Sequence, residues 1–270
     1  MILTVSHVTH YAYARPVRGA VQSLRLTPSR FDGQRTLDWT VAVEGGIRGG
    51  AFRDGAGDWI EGWSARGPLE EIVVAVEGRV ETTDTAGILR GHREAVPPAA
   101  YLRDTATTAP DAAIDALARA AATGATGGLD MAHRLSASVA DRIAYRPGAT
   151  EAATTATQAL ALGQGVCQDH AHVLIAAARA AGLPARYVSG YLFADADGRP
   201  HEAAHAWAEL WVEGLGWIGF DPANQSCPDE RYIRIGSGFD AADAAPIRGV
   251  ATGAATEQMK VEVAVGAAQQ

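Results

Sequence analysis

At Val96-Pro97-Pro98 the chain changes texture, and that change restricts its fold more than any other feature. Residues 1–95 read as β. Alternating or β-branched runs fall at 4–13, 21–26, 37–44, 58–63 and 70–80, divided by turn signals such as Asp32-Gly33, Gly45-Gly46, Asp54-Gly55 and Gly67-Pro68. Short strands at this spacing predict a sandwich or barrel. Beyond the proline pair, Ala-rich helices are expected at 111–122, opened by Pro110, and at 129–144, where Leu135, Val139 and Ile143 recur four apart on one face. A third helix is expected over 167–181, stopped by Gly182 with Pro184 just beyond. Strands then follow at 185–193, 204–212, 216–220, 232–235 and 259–265. Helices followed by a run of antiparallel strands make an α+β pattern. The expected organisation is an all-β, sandwich-like domain over 1–95 and an α+β domain with C-terminal strands over 96–270.

Composition fits that plan and narrows the function. The 270 residues, 47% hydrophobic and 20% charged, suffice for a real core and are too apolar for intrinsic disorder. A net charge of -8 argues against an electrostatic grip on nucleic acid or anionic lipid. Lys260 is the one lysine among 23 basic residues, a bias assigned to genome base composition. Two cysteines, Cys167 and Cys227, are too few for a disulfide scaffold or a Cys-rich zinc site. Residues 1–7 lack the basic start and apolar run of a signal peptide, and no window approaches the roughly 18 apolar residues of a membrane span. A soluble, cytoplasmic protein without a membrane partner is expected. The oligomeric state is left open.

The segment richest in chemistry is Gly163-Gln164-Gly165-Val166-Cys167-Gln168-Asp169-His170-Ala171-His172. A glycine-bearing loop delivers a cysteine to the start of a helix that is apolar nearly all round and therefore buried. Thiolate is the nucleophilic form, and the positive end of a helix dipole favours it. His205 opens a strand on which His205, Trp207, Glu209 and Trp211 share a face, and it is placed to act as base and then acid. Asp221 closes the next strand, where a carboxylate could fix the imidazole. A two-residue turn at Gly214-Leu215 would oppose His205 to Asn224 and turn Asp221 away, so a connection centred near Glu213, or a bulge, is expected to bring His205 and Asp221 opposite each other. Asp169 suits the helix N-terminus as a cap or brace. His170 and His172 lie on different helix faces, so both cannot join one site. The spacing His201-x3-His205, with Cys167, His170 and Cys227, raises the alternative of zinc. That segment crosses into a predicted strand, where residues four apart stand about 13 Å apart. No metal and no cofactor are expected.

These residues resemble the transglutaminase-like superfamily, through Cys167 in GQGVCQDHAH, then ARYVSGYL, HAW and GWIGFDPAN. His10-Tyr11-Ala12-Tyr13 with Arg15-Pro16-Val17 looks like the N-terminal β-region of its bacterial members, and RYIR and APIRG at 231–234 and 245–249 look like their tail. The resemblance implies a papain-like core of helices packed on an antiparallel sheet. It implies Cys167 as nucleophile, His205 as general base and acid, and Asp221 as the residue that orients His205. Cys167's backbone N–H is expected in the oxyanion hole, with no second donor assignable. Trp207, Asp169 and His170 are the candidate contacts to a peptide or protein substrate. The expected activity is cysteine-dependent acyl transfer from an amide through a thioester, with hydrolysis favoured over cross-linking. The alternative is a non-catalytic peptide-binding or scaffold module that keeps the fold.

Overall fold

The structure is a computed structural model and describes residues 1–193, 204–253 and 256–267. Two long antiparallel strands, β1 (Ile2–Leu24) and β4 (Trp59–Thr82), form the spine of the N-terminal unit. The sequence pattern divides each into two strands. The structure instead carries the ladder through with register shifts between Ala12, Val17 and Gly19, because Pro16 and Pro68 interrupt pairing locally without ending a strand. β2 (Gln34–Val43) and β3 (Ile47–Arg53) lie along the same edge of β4, one against each half. All seven residues of β3 are exposed, so it has no buried face for an apolar alternation to report. The two halves of the ribbon close on one cluster that includes Ala20, Leu24, Ile72, Val74 and Val76.

Past a 3-10 turn at Pro98–Leu102, the Asp111 carboxylate caps α1 (Ala112–Ala122) by accepting from the N–H groups of Ala113 and Ile114. Helix α2 (Gly128–Ala140) ends short of the expected 144. Ala144 and Tyr145 are drawn off as a two-residue strand, β5, that pairs with β6 (Gln164–Gly165). An unforeseen short helix, α3 (Ala156–Leu162), lies between them and starts at a reciprocal Thr155–Gln158 capping box. Helix α4 (Cys167–Ala180) follows, then β7 (Ala185–Leu192), β8 (Ala204–Val212), β9 (Gly216–Phe220) and β10 (Tyr232–Gly238), an antiparallel sheet in the order β10-β7-β8-β9. Ala206, Ala208 and Leu210 of β8 share a core with Val173, Leu174, Ile175 and Ala178 of α4.

The last strands correct the simple division at residue 96. β11 (Ile247–Thr252) and β12 (Glu257–Ala267) return to pair with β1 and complete the N-terminal sheet. The outer edge of β1 is long enough for both, taking β12 at Leu3 to Tyr13 and β11 at Gly19 to Leu24. Between that unit and the opposite face of the core sheet runs a buried ionic seam. Glu209 accepts from Arg186 Nε at 2.7 Å and from Arg234 Nε at 2.8 Å. Arg234 also meets Asp58 of the N-terminal unit at 3.1 Å, and Arg186 pairs with Glu94. Burial alone would push the Glu209 carboxyl up; Arg234 and Arg186 outweigh it and hold it at about 2.

Candidate active site

The start of α4 is built around Asp169. Its carboxylate accepts from the Val166 N–H at 2.8 Å and the Thr150 hydroxyl at 2.6 Å, which fixes the turn that delivers Cys167. Gly165 is required there, since a Cβ would stand 2.6 Å from the Asp169 carboxylate. Among the described residues neither the Cys167 nor the Gln168 N–H has a partner, as expected of first-turn donors. From Asp169 to Arg179 every residue of α4 is buried, so the cysteine sits on a rigid mount.

β8 and β9 are joined by Glu213-Gly214-Leu215, in the register Val212↔Gly216 to Ala208↔Phe220. The connection is three residues long, centred on Gly214, rather than the two-residue turn that would misplace Asp221. Continued by one step, this register sets Asp221 opposite Trp207 and so on the face that carries His205. The chain then turns sharply, and Asp221 bridges to Ser226. The result is a 2.6 Å contact between His205 Nε2 and Asp221 Oδ2. With Nε2 engaged, Nδ1 is the ring nitrogen left for Cys167, which lies close enough to raise the imidazole's pKa. Burial would lower the His205 pKa, but the Asp221 carboxylate and then Cys167 raise it to about 10.

Asp221 is held from several sides. Oδ2 also accepts from Asn224 Nδ2 at 2.8 Å and from the Tyr232 hydroxyl at 2.9 Å, while Oδ1 accepts from the N–H groups of Ala223 and Asn224. Burial would raise the Asp221 pKa; His205 first, then Asn224 and Tyr232, bring it below the usual carboxylate range. Burial and the Asp221 charge push the Tyr232 phenol up, so it stays a donor. Asn224 and Tyr232 escaped the sequence reading. Asn224, three residues after Asp221, carries the signature of a turn residue, but Tyr232 lies eleven residues on and only the packing of β10 brings it in.

The three residues assigned to substrate contact prove to be interior. Trp207 is 2% exposed and stacks on His205 with centroids 6.3 Å apart. Gly190, paired with His205 across β7, leaves room for that indole: a Cβ there would stand 2.6 Å from the ring. Asp169 is 1% exposed and braces the helix start as described. His170 is 2% exposed, with its ring nitrogens 2.9 Å from the carbonyl oxygens of Val166 and Ile143. Asp169 Oδ2 and both His170 ring nitrogens serve the scaffold, and Trp207 serves it through its ring. Trp211 and Trp217 pack edge to face, and Trp217 donates to Glu94 in the seam. Cys227 is half-buried, and burial, then Asp84, push its thiol up. His201 lies outside the described residues.

The geometry thus joins a cysteine at a helix start, a histidine with a raised pKa and a buried carboxylate. Residues 115–222 match the Transglutaminase-like superfamily, and residues 3–81 match the Bacterial transglutaminase-like N-terminal region. The protein ML0607 of Mycobacterium leprae is 30% identical over 274 aligned residues, covering 97% of this chain and 98% of its own. A protein-glutamine gamma-glutamyltransferase of Pseudomonas aeruginosa is 34% identical over 84 residues, covering 29% of this chain and 12% of its own. A solved structure described as a candidate cysteine protease from Cytophaga hutchinsonii shares the fold, with a TM-score of 0.73 at 22% identity over 100% of this chain and 92% of its own. The chain belongs to the transglutaminase-like superfamily and carries the bacterial N-terminal region of that superfamily ahead of its core.

Proposed function

We propose that this chain is a cysteine-dependent acyl-transfer enzyme that opens peptide or side-chain amides through a thioester on Cys167. The observation carrying this reading is the 2.6 Å contact of His205 with buried Asp221, beside a cysteine set at the first turn of a buried helix. An imidazolium beside the sulfur favours the attacking thiolate. The sulfur bonds to the amide carbonyl carbon, and the Cys167 N–H faces the oxyanion that develops. His205 gives its proton to the leaving nitrogen as the C–N bond breaks, and the amine departs. Water then adds to the thioester while His205 takes its proton, the C–S bond breaks, and the carboxylic acid leaves with the thiolate–imidazolium pair restored. Asp221 keeps the imidazole oriented throughout and stabilises its cation.

The names of two relatives divide between the outcomes, glutamyl transfer in Pseudomonas aeruginosa and proteolysis in Cytophaga hutchinsonii. Water is favoured here as the acceptor because it needs no site of its own, whereas an amine must be bound and deprotonated. Two measurements test the reading. Iodoacetamide should alkylate Cys167 about tenfold or more faster than Cys227 at neutral pH, because the imidazole of His205 stands beside the one sulfur while burial and Asp84 hold the other as the thiol. Equal rates overturn the activated cysteine. Mass spectrometry of the protein quenched in acid after exposure to cell lysate should find an acyl group on Cys167, and its mass identifies the donor. Stable incorporation of a labelled amine in preference to hydrolysis would reverse the choice of acceptor.

A further inference from the structure

The N-terminal unit has an open side. A cleft of about 810 Å³ lies between β2 and the β3–β4 end of the ribbon. Six consecutive residues of β2, 36–41, border it. Side chains alternate between the faces of a strand, so six in succession mean that the backbone edge itself lies along the cleft. Among the described residues β2 and β3 each pair only with β4, which leaves the outer edge of β2 with unused N–H and C=O groups. Half-buried Leu37, Trp39, Val41 and Trp59 supply apolar surface.

The rim has a sign. Its two carboxylates are already engaged: Asp38 pairs with Arg79 at 2.6 Å, and Glu61 accepts from Arg48 at 2.8 Å and from Trp59 Nε1 at 2.9 Å. Arg30 and Arg53 also line the cleft, and among the described residues neither has a carboxylate partner. The Arg53 guanidinium rests over the Trp59 ring, 5.5 Å from its centroid, and is thereby held at the rim. A local excess of cations on a chain of net charge -8 selects against basic segments and for acidic ones.

We propose that this cleft docks an extended acidic peptide with apolar residues at alternate positions, added as a strand along the free edge of β2. Its apolar side chains meet Trp39 and Trp59, its carboxylates meet Arg30 and Arg53, and its backbone pairs with β2. Trp39 also stands 6.4 Å from Tyr191, next to Gly190 on the strand that backs His205, so a docked segment is anchored to the body that carries the candidate triad. The proposal does not depend on chemistry at Cys167.

The test is fluorescence anisotropy with a fluorescein-labelled peptide of Glu-Val-Glu-Phe repeats, titrated with the full-length Cys167→Ala chain. The Glu peptide should bind, its Lys counterpart should not, and added salt should weaken the complex. Reversing both exposed rim charges, Arg30→Glu with Arg53→Glu, should weaken binding by about tenfold or more while the thermal midpoint is retained. N-methylation of alternate peptide amides should abolish binding by removing the strand pairing. Equal binding of the Glu and Lys peptides, or an affinity indifferent to the charge reversal, overturns the site. Full affinity of the N-methylated peptide overturns the added strand.

Discussion

Glu209 and Asp221 are both buried carboxylates reached from one face of the core sheet, and each is held by a cationic or protonatable partner. Their surroundings differ in one respect. The Glu209 oxygens are taken by Arg186 and Arg234, and those guanidinium groups run on to Glu94, Asp58 and Ser29, so the cluster closes on itself. The Asp221 cluster ends in an imidazole that bonds the carboxylate through Nε2 and has Cys167 beside it. Similar burial and similar partners therefore make a cross-strut between two units in one place and a candidate proton-handling site in the other. Closure, not burial, separates them.

Removing the strut should have the largest effect. Glu209→Gln removes the charge that two buried guanidinium groups share. Among the described residues this leaves Arg186 only Glu94 and Arg234 only Asp58 as carboxylate partners, and it should cost about 3 kcal/mol in denaturant unfolding. The two clusters should also fail at opposite ends of the pH scale. Glu209 is depressed from 4.5 to about 2, so its contribution is complete above pH 4.5 and fades as the pH falls towards 2. His205 is raised from 6.5 to about 10, so its contribution is complete below 6.5 and is lost as the pH rises through 10. Unfolding curves of the wild type against Glu209→Gln should converge in acid, and those against His205→Ala should converge in alkali. Convergence of both pairs on the same side would remove the distinction between strut and site.

A steric change tests the same comparison from the packing side. Gly190→Ala sets a methyl 2.2 Å from the Ile233 carbonyl oxygen and 2.6 Å from the Trp207 ring. Overpacking of this kind costs about 1–3 kcal/mol. Because Trp207 stacks on His205, the variant should also slow alkylation of Cys167, whereas Glu209→Gln measured well below its unfolding transition should not. Alkylation that tracks stability alone in both variants would show that the indole has no part in placing the imidazole.

Much of this was legible in the sequence, for reasons that particular residues illustrate. Cys167, His205 and Asp221 are marked by a family resemblance; the glycine loop before an apolar helix and the two strand ends place them but do not alone assign their roles. The central helix and the core strands followed from periodicity. What escaped was set by distance along the chain or by the lack of a buried face. β12 pairs with β1 across almost the whole chain, and no local pattern says which sheet a C-terminal strand will join. Trp207, Asp169 and His170 are natural candidates for substrate contact as polar or aromatic neighbours of a nucleophile, and of these only Asp169 carries a local signal, its place at the helix start, for the bracing role it takes. Their inward orientation depends on register and helix packing, which composition does not encode.

The smallest predicted effect tests the site at its outermost support. The Tyr232 hydroxyl donates to Oδ2, the same oxygen that His205 contacts. Tyr232→Phe keeps the ring against His205 and Trp207, 5.9 and 5.5 Å away between centroids, and deletes the hydroxyl's bond to Asp221 with its longer 3.3 Å contact to Ser226. The stability cost should be about 0.5–1.5 kcal/mol. The charge consequence is more diagnostic. A carboxylate that no longer shares its charge with the phenol offers more of it to the imidazolium, so His205 should hold its proton to a higher pH than the wild type's value of about 10. Ring nitrogen shifts of labelled histidine, followed by NMR through the alkaline range, read that midpoint directly. A tyrosine that only fills space would lower the melting temperature and leave the midpoint in place, whereas an upward shift with the fold intact makes Tyr232 a positioning residue that tunes the histidine through Asp221.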